Sequence, residues 1–352
     1  MMPRCGPPIA LLLAAACTKP AAGPPEETLA FPADTLEVEW AELPMAAAAS
    51  GGRWAVVSPG WDAAVFADLP AKALQPLGGP RQQAYLHPFM VFSAGDSIYV
   101  ADWGKRRTTV WNGAGKLVDS LPAVDQLRGS YVRARDAAAQ LYFQVDPPGR
   151  RDGSGNQDSI AIVRAPASLA RFDTVAHLAP RELLQVTRGN STRFEQPIFS
   201  GNDLWGVWPD ATVWIARRFR NQLVVVDARG KTSTGPPLPD PVYEVGPADR
   251  EIFLRAYPAE VRPKETDLTW ASLFAPFAAA FTTPAGIWIE KSKPALDSLR
   301  RIQVLDRSGN LRRVLVLHGQ ARLLAVGTDK ILVAEQFEKG VRLMEIRIPL
   351  QR

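Results

Sequence analysis

The apolar positions of this chain fall into short alternating runs, not into long helical stripes. In Gln222–Asp227, Leu223 and Val225 face one way and Val224 and Val226 the other, the two-residue period of half-buried antiparallel strands. The runs recur. Ser97–Gly115 and Thr212–Gly230 align without a gap. Each reads as a strand carrying an aromatic residue (Tyr99, Trp214), a polar basic hairpin, and a second strand ending in Asn112 or Asp227. A glycine, Gly115 or Gly230, stands three positions later. That spacing predicts a turn in which the Asn or Asp side chain caps its own loop and the glycine takes the positive-φ position. Looser copies follow the same plan. They are Gly286–Glu290 with Arg301–Asp306 and Gly309, Arg53–Val57 with Asp62–Asp68, Gln140–Val145 with Ser159–Arg164, and Lys330–Glu335 with Val341–Arg347.

Six copies at blade-like spacing predict an all-β chain with a single six-bladed β-propeller. One blade cannot bury both of its faces, whereas a closed ring of blades leaves only short edges. The alternating Leu36, Val38 and Trp40 within Asp34–Leu43 mark a strand able to close the ring. A pair of packed β-sandwiches remains the alternative architecture. One stretch, about 237–284, breaks the repeat. Pro247 followed by acidic residues predicts a short helix there. Trp270, Leu273, Phe274, Phe277 and Phe281 give the same stretch an apolar face for the propeller or for a partner.

The amino-terminal residues read differently. Arg4, the apolar run Ile9–Ala16 and the small residues before Cys17 have the order of an export signal. The run is too short to span a bilayer as a helix. We therefore divide the chain into a signal segment at 1–17, a flexible Pro/Gly/Glu-rich tether at 18–33, and the propeller at 34–352, with the helical insertion at about 237–284. The two cysteines, Cys5 and Cys17, both fall in the signal segment, so the propeller has no disulfide and no thiol nucleophile. A net charge of +5 permits an acidic partner without requiring one.

Ile98-Tyr99-Val100-Ala101-Asp102 with the Lys105-Arg106-Arg107 loop and the Asn112…Gly115 turn resembles the NHL repeat. The chain is similar to six-bladed propeller lipoproteins of bacterial envelopes, a group that implies fold, not activity. The run into Cys17 resembles a lipobox, although Ala14 stands where leucine is usual. The resemblance implies a lipid anchor on Cys17 and, because Thr18 is not aspartate, the outer membrane. A soluble periplasmic or secreted protein is the alternative.

Candidate chemistry is sparse. His87, His177 and His318 lie in different copies, with no nucleophile elbow or zinc-helix motif. Six-bladed lactonases hold a divalent ion with acids and amides from several blades. Here Asp96, Asp102, Asn202, Asp203, Glu290 and Glu335 occupy unmatched repeat positions, and Asp102 aligns with Arg217, so no metal and no cofactor is expected. Asp152–Asp158 begins like a calcium loop but lacks its later ligands. The basic hairpins are the remaining candidates: Lys105, Arg106, Arg107, Arg217, Arg218 and Arg220 occupy equivalent loops and could form one anion-binding rim. The expectation is a non-enzymatic binding or scaffold propeller, tethered to the membrane, that engages an envelope protein, a peptide or an anionic glycan on a loop face. The alternative is a metal-dependent, lactonase-like hydrolase or lyase. An exported protein does not meet nucleic acid.

Overall fold

The computed structural model describes residues 23–30, 34–79, 84–148 and 158–348. Six antiparallel sheets form a six-bladed β-propeller. The blades occupy 46–76, 88–122, 132–178, 204–237, 277–318 and 322–347, numbered one to six in chain order. In blade two the strands Pro88–Ala94, Ser97–Asp102, Arg107–Asn112 and Leu117–Pro122 run outward from the ring centre. All six repeat copies correspond to the second and third strands of a blade. Those strands are covered on both sides by neighbouring blades, which is why they carry Trp54, Tyr142, Phe143, Trp214, Ile215 and Leu332 at 2% exposure or less.

The ring closes as the alternation of residues 34–43 predicts. Asp34–Val38 is the outermost strand of blade six, antiparallel to Gly340–Arg347, with Val38 opposite Val341. Trp40 follows it into the core between blades six and one.

The turn chemistry also holds. Asn112 Oδ1 accepts from the N–H groups of Ala114 (3.1 Å) and Lys116 (2.9 Å), with Gly115 at φ 82°. Asp227 and Asp306 repeat those bonds to Arg229 and Lys231, and to Ser308 and Asn310. The bonds from Asn310, Arg312 and Ser308 outweigh partial desolvation and hold the Asp306 carboxyl down at about 2.

Two expectations are corrected. The tether is not flexible throughout, because Glu26–Thr28 adds a fifth, parallel strand to the outer edge of blade five. Leu29 is buried against blades five and six, and Glu27 makes a two-pronged pair with Arg313 at 2.9 and 2.7 Å. Glu26 adds a second pair, with Arg301 at 2.7 Å, and the Leu29 N–H donates to the Val316 carbonyl at 2.9 Å. The helical insertion is shorter than 237–284. Phe277–Thr283 is the innermost strand of blade five, so the apolar run divides, with Trp270 and Phe274 in the insertion and Phe277 and Phe281 in the ring. The helix itself is Pro247–Arg255, and its Asp249 caps the Gly246 N–H at 2.8 Å. The signal segment with Cys5 and Cys17, and Asp152–Gln157 of the Gly-rich loop, lie outside the described residues.

Candidate functional site

Register defines two unlike faces. Pro88, Asp102, Arg107 and Pro122 lie level with one another, so connections between blades and each second-to-third-strand hairpin emerge together on one face, here called upper. On the lower face the longest connection within a blade is 166–172. Among the described residues the upper face carries the elaborations: the hairpin Leu184–Arg188/Ser191–Glu195, the helical insertion, and the loop 292–298. Elaborated loops on a rigid scaffold are where binding residues concentrate.

The hairpin and the helical insertion form a cap. Phe199, Phe253, Trp270 and Phe274 pack ring to ring at 4.8–5.9 Å. Glu195 joins the two insertions, accepting from the Thr269 hydroxyl at 2.7 Å. That bond, with those from Arg193 and Arg188, holds its carboxyl down at about 2.

The basic hairpins of blades two and four do emerge on the upper face, but much of their charge is already engaged. Arg106 pairs with the exposed Asp125 at 2.8 Å, and Arg107 donates to the Ala84 carbonyl at 3.0 Å. Arg217 pairs with Asp203 at 2.6 Å. Arg218 is buried, donates to Glu182 (2.9 Å) and the Gly201 carbonyl (2.6 Å), and lies 3.9 Å from the centre of the Phe219 ring. The Lys105 N–H donates to Asp102, and Arg220 is exposed at the hairpin tip.

The acidic candidates are structural latches. Asp102, fully buried, accepts from the Leu86 N–H (2.7 Å) and the Lys105 N–H (3.0 Å), tying the incoming loop to its hairpin. In blade four the equivalent position is Arg217, and Asp203 from the preceding segment takes over. It binds Ala179 N–H (2.8 Å), Arg218 N–H (3.0 Å) and Arg217 itself. Glu290 pairs with Arg300 and accepts from the Leu323 N–H. Asp96 lies in a lower-face turn and Glu335 in a strand of blade six. Asn202 stands beside Asp203, ahead of blade four. His87 lies 3.5 Å from Asp62 and His177 3.2 Å from the Ser159 hydroxyl, on separate blades. Among the described residues no three His, Cys, Asp or Glu side chains come together in a way that could hold a metal.

The ring encloses a central cavity of about 880 Å³, lined by the innermost strand of every blade. Alanine is the commonest residue of its walls, Ala46–Ala49 and Ala278–Ala280 among them, beside larger side chains such as Phe92, Trp205 and Phe281. Each innermost strand has a sheet neighbour on its outer side only, so its other backbone edge faces the cavity. Three cationic groups line it: Arg133, Arg135 and Arg322. Arg133 and Arg135 lie on the innermost strand of blade three, Val132–Arg135, whose register shifts between Val132 and Ala134. Arg322 begins the innermost strand of blade six. Three blades separate them in a ring of six, so Arg133 and Arg322 stand on opposite walls near the upper mouth. Neither makes an ion pair or side-chain hydrogen bond with a described residue. Desolvation lowers the pKa of Arg133 and the field of Asp146 partly restores it, but Asp146 is itself bonded to Arg181 at 2.6 Å. Arg135, deeper, interacts with the Tyr99 hydroxyl. The one acid on the cavity wall, Asp136, spends its oxygens on the Gln140 N–H and the Tyr142 hydroxyl, each at 2.9 Å. Sequence reasoning missed this arginine set because the repeat copies cover second and third strands, whereas these residues sit on first strands. The Arg133/Arg135 alternation is the signal that could have shown it.

No protein family and no curated protein matches the sequence. Solved structures do. A Bacteroides fragilis protein described as exported has a TM-score of 0.52 at 9% identity, over 92% of this chain and 99% of its own. A gluconolactonase from Xanthomonas campestris gives 0.48 at 9% identity, over 92% and 98%. The virginiamycin B lyase of Staphylococcus aureus gives 0.44 at 10% identity, over 89% and 99%. At these identities what is shared is the fold.

Proposed function

We propose that the protein is a binding propeller that takes an anionic ligand, or the anionic end of a longer chain, into the upper mouth of its central channel. The observation that carries this reading is the pair Arg133 and Arg322. Among the described residues neither guanidinium has an ion-pair or side-chain hydrogen-bond partner, and both line one cavity whose single described acid is already satisfied. Both are exposed at the ends of their strands, and a guanidinium is met best by a carboxylate or phosphate that matches its planar fork. The hairpin arginines contribute the general positive field of the upper face, and Arg220 is the one among them most open to a ligand.

The test is calorimetric titration of the full chain with short polyanions, triglutamate and tripolyphosphate, at low and moderate salt. Binding that weakens with salt, and falls about tenfold or more in Arg133→Ala and in Arg322→Ala, is expected. A charge-assisted hydrogen bond contributes about 1.5–3 kcal/mol, enough for that change. Unchanged binding in both variants would refute the site.

We further propose that the protein is held at the bacterial outer membrane by a lipid on Cys17. The support is the order of charge, apolar run and small residues before that cysteine. Labelled palmitate supplied to cells is expected to enter the wild-type protein and not Cys17→Ser. Equal labelling, or none in either, returns the reading to a soluble exported protein.

A further inference from the structure

The innermost strand of blade one, Ala46–Ser50, turns an edge and not a face toward the channel. Residues 45–49 line the cavity without a gap, whereas a strand face presents every second residue. The side chains leave sideways. Ala47 packs in the core between blades six and one, and Ala48 in the core between blades one and two. The strand pairs only with Arg53–Ser58 on its outer side, so the N–H and C=O groups of its other edge are left to the channel. They come from every second residue, as donor–acceptor pairs about 6.8 Å apart. Phe92, Trp205 and Phe281 stand on the innermost strands of blades two, four and five, whereas 46–49 in blade one are all alanine. The edge of blade one is therefore open to a second backbone.

Cations stand to either side of this edge. Blade six, next to blade one in the ring, carries Arg322, and blade three, beyond blade two on the other side, carries Arg133. In an extended chain successive side chains point opposite ways. A strand added to the edge of blade one turns one side chain toward Arg322 and the next toward Arg133. We infer that the channel mouth binds an acidic peptide in extended form, laid along the free edge of Ala46–Ser50, with two consecutive carboxylates directed to Arg322 and Arg133. Main-chain bonds to a sheet edge supply affinity, and the alternating side chains supply choice of sequence. The inference rests on the anion-binding reading of the same mouth and narrows it to one class of ligand. A polyuronate meets the two charges but brings no row of amide groups to the edge, and a polyphosphate accepts hydrogen bonds without donating them.

The experiment varies the ligand and keeps the full chain intact, so folding is not at stake. Calorimetry compares acetyl-Ala-Ala-Glu-Glu-Ala-Ala-amide with three probes that also carry two acids. The first is acetyl-Ala-Glu-Ala-Glu-Ala-Ala-amide, whose carboxylates fall on one side of an extended chain. The second is the Glu-Glu peptide methylated on every backbone nitrogen, which keeps the charge and removes the N–H donors. The third is a glucuronic acid disaccharide. The unmodified Glu-Glu peptide is expected to bind about tenfold or more tightly than each of the three, and Arg133→Ala and Arg322→Ala are each expected to weaken it about tenfold. If all four bind alike and both variants weaken them alike, the peptide inference falls and the anion site stands. A disaccharide that binds more tightly than the Glu-Glu peptide overturns the inference in favour of an acidic glycan. If none of the four binds, and tripolyphosphate does not bind either, both readings fall.

Discussion

Glu290→Gln is expected to destabilise the fold by about 3–5 kcal/mol, the cost of removing one member of a buried ion pair. Glu290 is 1% exposed, on the second strand of blade five. One oxygen accepts from Arg300, and the other accepts from the Leu323 N–H on the innermost strand of blade six at 3.0 Å. The carboxylate thus joins two strands of its own blade and the next blade as well. Glutamine keeps the shape but turns one acceptor into a donor. Its amide must then face either the guanidinium or the Leu323 N–H, and the Arg300 charge loses its counter-ion. Urea unfolding measures the loss. A change below about 1 kcal/mol would mean that water reaches the pair. The double variant Glu290→Leu/Arg300→Leu is expected to recover much of the stability, because an apolar pair carries no desolvation cost.

The second large effect depends on pH and lies one residue away. Lys291 is 4% exposed, its ammonium donating to Asn221 Oδ1 at 2.7 Å and lying 4.9 Å from the Phe277 ring centre. Burial lowers its pKa from 10.5 to about 8, with Asp240 opposing the shift. Below pH 8 the lysine is charged in both folded and unfolded chains, and the fold bears the cost of burying it. Between 8 and 10.5 the fold releases the proton while the unfolded chain keeps it, so stability rises with pH. Above 10.5 both are neutral and the gain is complete. The full difference is about 3 kcal/mol, from a shift of roughly 2.5 units at 1.36 kcal/mol each. Lys291→Met should therefore be more stable than the wild type near pH 7 and lose that advantage by about pH 10.5, where the wild type keeps its bond to Asn221. Unfolding curves of the two proteins across this range check it. A difference independent of pH would show that Lys291 titrates normally.

What the sequence discloses follows from where each residue sits. Second and third strands are packed on both faces, so residues such as Ile98–Ala101 and Val213–Ala216 must be apolar and the repeat is visible in them. The flanking strands are not so constrained. Leu117–Pro122, outermost in blade two, is almost wholly exposed, and Ala46–Ser50, innermost in blade one, needs only small residues where the strands converge. Neither leaves a strong periodic mark. The latch acid shows a second limit. A gapless alignment places Arg217 opposite Asp102 as a mismatch, yet Asp203 restores the same tie from an earlier segment and pairs with that arginine. Compensation between distant positions is invisible to a linear register. The candidate site was hidden for the first of these reasons: Arg133 and Arg322 stand on innermost strands, outside every repeat copy.

The closing strand also sets the order in which the molecule can fold. Blades one to five take their four ring strands from consecutive sequence, so their contacts are mostly local and can form early. Blade six cannot. Asp34 waits for Glu345, Glu37 for Arg342, and the Trp54 indole for the Glu345 carboxylate. Joining ends this far apart makes closure a high-contact-order step, which slows folding. Until it happens, the incomplete ring shows two raw sheet faces, one on blade one and one on blade six, each built to be covered by the other. Such faces are sticky toward any other unfinished chain. The interval between emergence of the first strand and arrival of the last is therefore the period in which this protein most needs a chaperone.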